Sequence, residues 1–160
     1  MTRDESEQVV ALLSQQTYVR ETDGPNDSPE IREYQRVTGN APPDSWCASF
    51  IAWGMHYVLG ARYSLPLTAS CQALRMAAAA RRILKLHPSY GAIGLVIDTQ
   101  ADHAHHCFLV TNDPEADGSF TTVEGNSNDN GSSNGDGVYL HHRGGPSDHV
   151  HYEFIEPEGI

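Results

Sequence analysis

The sequence predicts an α+β fold, and three observations predict it. From about residue 4 to residue 84 the apolar residues recur at helical spacing between cap and stop signals. After Pro88 the pattern changes to short β-type runs separated by Gly, Asp and Asn clusters. The order is helices first and strands second, which places N-terminal helices against one C-terminal antiparallel sheet. A length of 160 residues fits a single domain over 1–160 with a core of its own.

Each element has its own warrant. Residues 4–16 hold Val9, Val10, Leu12 and Leu13 among polar neighbours, a short amphipathic helix. In the second helix Ser28 can cap, Pro29 fits the first helical position, Glu30 complements the dipole and Gly39 stops the turn, with Ile31, Tyr34 and Val37 facing inward. The third runs from Asp44 or Ser45 as cap to Gly60 and is almost wholly apolar, which places it at the centre of the fold. The alanine-rich TASCQALRMAAAARRIL makes a fourth. The strands are IGLVI, HCFLVT, SFTTVE, GVYLHH and VHYEFI, and the Gly/Asn/Ser patch over residues 125–137 reads as a loop inside the sheet region.

Composition excludes several classes. With 10 basic against 21 acidic residues the chain carries a formal charge of -11, so phosphate backbones and anionic bilayers repel it and neither nucleic acid nor membrane is an expected partner. No stretch approaches a membrane span, and MTRDESEQ lacks the basic-then-apolar character of a secretory signal; the expectation is a chain made in the cytoplasm without a signal peptide. Three cysteines with no C-x-x-C argue against a disulfide framework or a structural zinc site.

Cys47 stands at the start of the third helix, where unpaired N–H groups and the positive end of the dipole stabilise a thiolate. It is the candidate nucleophile; Cys71, inside a helix, and Cys107, inside a strand, read as packing residues. A thiol nucleophile needs a base and the base an orienting group. A hairpin turning near Glu115 sets His106 opposite Glu124 on one face, while a register displaced by one puts His105 in its place. Asn126, two residues beyond Glu124, points to the same face and can supply a substrate contact.

YVRETDGPNDSPEIREYQRVTGNAPPDSWCASFIAW, HHCFLV and VEGNSNDNGSSNGDGVYLHHR together resemble the CHAP family, the cysteine, histidine-dependent amidohydrolases/peptidases that cut peptidoglycan on a papain-like core. The likeness covers roughly residues 15–145. The family's Trp-Cys-Ala falls on Trp46, Cys47 and Ala48, and its Glu-Gly-Asn on Glu124, Gly125 and Asn126, followed by a Gly-rich loop and Arg143. Its Gly-His-Val-Gly-Ile-Val falls on residues 105–110, with His105 where Gly is usual and Phe108 where a small residue is usual. The resemblance implies Cys47 as nucleophile, His106 as general base and then acid, Glu124 as orienting group, and a peptidoglycan peptide as substrate. No cofactor is implied. The expected enzyme is a monomeric amidase or endopeptidase, a phage lysin or a secreted antibacterial effector, that acts in the periplasm or cell wall after delivery; a delivery protein or cognate inhibitor stays open as a partner.

Other readings compete. HAHHC and HHRGGPSDHVH are dense in histidine but lack metal-site spacing, so no metal ligand is assigned and a metal-dependent hydrolase is the alternative, beside a non-catalytic binding module on the same fold. Asn126-x-Asn128-x-Asn130 imitates a calcium loop, yet Gly137 stands where Glu belongs, and turn chemistry explains it better. Trp46, beside the nucleophile, reads equally as a sugar-stacking platform or as core; Trp53 reads as core.

Overall fold

The structure, a computed structural model, describes residues 1–129, 135–145 and 148–160. Four helices precede a six-stranded antiparallel sheet, as the change of periodicity after Pro88 requires. Helix α1 spans Arg3–Ser14 and opens on a capping box in which Thr2 and Glu5 each accept the other's backbone N–H. Helix α2 spans Pro29–Thr38, with Ser28 capping, proline at its first position and Gly39 in the left-handed region at its end. Its buried face is Ile31, Tyr34 and Gln35; Val37 is only half-buried, because Gln35 turns inward to donate to the Asp44 carbonyl at 2.8 Å.

Helix α3, Cys47–Leu59, is buried nearly all round and packs on α1 and α2 on one side and on the sheet on the other. Helix α4 spans Cys71–Ala80 and is capped by Ser70. It is shorter than the alanine-rich stretch 68–84, and with Ser70 as its cap Cys71 is its first residue and not an interior one.

The strands are β1 (Leu84–Lys85), β2 (Ile93–Asp98), β3 (His103–Val110), β4 (Phe120–Ser127), β5 (Gly137–Arg143) and β6 (Tyr152–Ile155), in sheet order β1-β6-β2-β3-β4-β5. The patch expected as loop over 125–137 is strand through Ser127, and its residues 130–134 lie outside those described.

The two faces of the sheet differ. Ile93, Leu95, Cys107, Leu109, Val123 and Ile155 face the helices and join the main core with Phe50, Ile51 and Met55 of α3. On the other face Phe108, Phe120, Tyr152 and Phe154 form a second cluster with rings at 5.6–6.5 Å, mostly edge-on. Gly94, paired with Phe108 across β2 and β3, makes that cluster possible: a Cβ there would stand 2.0 Å from the Phe108 ring. Among the described residues no helix is long and apolar enough to cross a membrane.

Candidate active site

Cys47 is the first residue of α3, and the way the helix begins matters to its chemistry. Residues 41–44 close a turn through Asp44 N–H to the Ala41 carbonyl, so neither Asp44 nor Ser45 reaches the cap position. Trp46 occupies it, and no side chain caps the helix. The other three α-helices each have a hydroxyl cap, on Thr2, Ser28 and Ser70. At α3 no side chain takes up the first-turn N–H groups, and Cys47 is the residue at that positive end.

His106 and Glu124 are in contact, with Nε2 at 2.8 Å from Oε2. They do not meet as directly opposed residues. The ladder pairs Leu109 with Val123 and Val110 with Thr122, so the hairpin turns one residue later than Glu115, and Glu124 lies diagonal to His106. Moving the turn centre by one residue shifts the pairing by two, which preserves the face and keeps the two side chains within reach. His105 is the extra residue of a bulge opposite Val96 and Ile97 and is exposed to solvent, so it takes no part in this contact.

Glu124 is completely buried and has two further partners. Arg143 of β5 grips it with two N–H donors, Nε at 2.5 Å from Oε1 and Nη2 at 2.6 Å from Oε2, and the Thr122 hydroxyl donates to Oε1 at 2.5 Å. Both were legible in part: Arg143 follows the Gly-rich loop, and Thr122 lies two residues before Glu124 on the same face.

The charges follow from these contacts. Burial pushes the Glu124 carboxyl up, but Arg143 and His106 outweigh it and hold it at about 2. Burial pushes His106 down, but the Cys47 sulfur and Glu124 outweigh that and lift it to about 9. The Cys107 and Cys71 thiols, and after them His106, overcome desolvation to hold Cys47 well below the usual thiol range. Both shifts favour the charged forms, a thiolate on Cys47 and an imidazolium on His106. Nδ1 of His106 makes no hydrogen bond among the described residues, so it stabilises the nearby sulfur through space.

The three cysteines converge. Cys47 and Cys71 have their sulfurs 3.6 Å apart, and the sulfurs of Cys47, Cys71 and Cys107 all lie within 4.8 Å of one another. Cys71 and Cys107 are buried in the main core, as expected of packing residues, and both also sit against the candidate nucleophile. Their spacing of 24 and 36 residues along the chain gave no sign of this. Among the described residues no group containing a histidine gathers at metal-binding spacing, whereas the thiols do.

Trp46 is fully buried. It lies tilted against Tyr34 at 6.0 Å and edge-on to Phe50 at 6.3 Å, and presses on Gly125, where a Cβ would come within 2.7 Å of its ring. It therefore offers no face to a sugar and serves instead to seat the start of α3 on β4. Asn126 adopts φ 55° at a register irregularity in β4 and is fully buried, and neither its Oδ1 nor its Nδ2 has a hydrogen-bond partner among the described residues. Compared with known proteins, the chain matches no family model, no curated protein and no solved structure.

Proposed function

We propose that this chain is a cysteine amidase or endopeptidase of papain-like design that hydrolyses an amide bond in the stem peptide or cross-bridge of peptidoglycan. One observation carries the enzymatic part: a buried His106–Glu124 pair at 2.8 Å beside a cysteine at an uncapped helix start. The substrate class rests on the likeness of the Trp46-Cys47-Ala48 and Glu124-Gly125-Asn126 stretches to the CHAP pattern.

In this reading the Cys47 thiolate attacks the amide carbonyl and forms a carbon–sulfur bond. The oxyanion is received by backbone N–H groups of the α3 start, that of Cys47 among them. His106 gives its Nδ1 proton to the departing amine while Glu124 keeps Nε2–H engaged, and the neutral imidazole then draws a proton from water as it attacks the thioester. Acid and free Cys47 are released. Asn126, buried with an amide donor and acceptor that have no hydrogen-bond partner among the described residues, supplies polar contacts to the peptide. Phe108, two residues beyond His106 on the same face, stands where the family pattern has a small residue and is fully buried in the second apolar cluster.

The deciding experiment digests purified sacculi with reduced protein and reads the soluble fragments by mass spectrometry, where new amine ends identify the bond. Release by the wild type and none by Cys47→Ala is the expected result. Sacculi from several bacterial types that stay intact, while Cys47 still alkylates ahead of Cys71 and Cys107, would remove the peptidoglycan assignment. Action in the periplasm or wall after delivery has its own test. Unmodified expression should leave a Gram-negative host growing, and attaching a periplasmic signal peptide should cause lysis that depends on Cys47.

A further inference from the structure

From the convergence of three buried sulfurs we infer that Cys47, Cys71 and Cys107 form a binding site for a thiophilic closed-shell cation such as Zn(II), Cd(II) or Cu(I). The observation is geometric. The sulfurs stand within 4.8 Å of one another, and the Cys47–Cys71 separation is 3.6 Å. Two sulfurs on one tetrahedral zinc, each at about 2.3 Å from the metal, stand about 3.8 Å apart. A cation at the centre of the triangle therefore needs small side-chain adjustments and no rearrangement of the backbone.

The frame around the sulfurs fits such an occupant. Cys47 and Cys71 are each the first residue of a helix, of 13 and 10 residues, so two positive helix ends face the negative charge that three thiolates carry in excess of a divalent cation. Cys107 comes from β3 and is fully buried, which holds the third donor rigidly. His106, in the same strand as Cys107, has a buried Nδ1 near Cys47 with no hydrogen-bond partner among the described residues, and a soft cation with three sulfur ligands has a fourth position open to a donor of that kind or to water. On binding, each thiol that becomes a ligand releases its proton to the buffer, and no oxidant or reductant is consumed.

One consequence rests on the hydrolase reading. The Cys47 electron pair that would attack an amide is the pair that binds the cation, so occupancy and hydrolysis exclude each other. A metal-loaded chain is a silent form, revived by a stronger chelator.

The experiment titrates the reduced full chain with Cd(II) without oxygen and follows the sulfur-to-cadmium charge-transfer absorption. A single saturating site on the wild type is expected, weakened by at least about 100-fold in Cys71→Ala and in Cys107→Ala, since losing even an outer-shell partner of a metal ligand costs about 10–100-fold. Circular dichroism verifies that the variants fold. Should one fail to fold, X-ray absorption on the wild-type complex needs no variant and should read three sulfur neighbours. A shell of nitrogen and oxygen from the exposed histidines, no charge-transfer band, or full-strength binding by folded Cys107→Ala would overturn the site. Sacculus digestion by metal-free protein is read in parallel. A band without hydrolysis leaves the cation site standing and removes the peptidoglycan reading; hydrolysis without a band does the reverse.

Discussion

Arg143 is the strongest of the partners that keep the Glu124 carboxyl ionised. Without Arg143, Glu124 would be a buried carboxylate held, among the described residues, by a histidine and a hydroxyl alone. Breaking one side of a buried ion pair costs about 3–5 kcal/mol, so Arg143→Met should lower the urea midpoint by a corresponding amount with an unchanged m-value. The pH dependence of stability carries the same signature. His106 titrates near 9 in the folded chain against 6.5 ordinarily, so its contribution is complete below about 6.5 and is lost as pH climbs through 9. Glu124 titrates at about 2 against 4.5, so its contribution is complete above 4.5 and is lost as pH falls through 2. Urea midpoints across pH should therefore be greatest between about 4.5 and 6.5 as far as this pair decides them, and His106→Ala should flatten the alkaline fall. In the same variant hydrolysis should vanish, whereas His105→Ala, altering an exposed bulge residue, should keep most of it. Equal loss in both would mean that the contact with Glu124 is not what selects the histidine.

At the scale of elements, the start of α3 depends on a glycine in β4. Gly125 lets Trp46 and Phe50 sit directly on the strand, since an added Cβ would come within 2.7 and 2.8 Å of them. Gly125→Ala should cost about 1–3 kcal/mol by overpacking. It should also reduce hydrolysis beyond what Ser70→Ala does, a cap loss of about 1 kcal/mol at the other cysteine-bearing helix. Thermal melts paired with activity separate the two effects; equal activity at equal stability would mean that the seating of Trp46 does not position Cys47. The sequence marked these elements unevenly. Ser28, Pro29 and Gly39 bound α2 by local rules, and the structure keeps those bounds. The start of α3 escaped the same rules because the turn at 41–44 and the Gln35 contact draw Asp44 and Ser45 away from the cap, and Trp46 takes that place through packing.

At the scale of the molecule, the charge pair predicts a pH profile for hydrolysis. Cys47 is ionised well below its usual range and His106 holds its proton up to about 9, so the rate should fall above about 9 as the general acid is lost, and alkylation of Cys47 should already be fast at neutral pH. Alkylation that rises only in step with an ordinary thiol would remove the ion pair and the mechanism built on it.

The α+β class, the central apolar helix, the cysteine at that helix's start and the face shared by His106 and Glu124 were all legible in the residues alone, because period, caps and strand alternation are local properties that survive small errors of register. The sheet order in which β6 enters between β1 and β2, the diagonal contact of His106 with Glu124, the burial of Trp46 and the meeting of Cys71 and Cys107 at Cys47 emerge from the folded chain. These depend on contacts between residues far apart in the chain, whose geometry is set by how the helices settle on the sheet, and no local pattern encodes that packing.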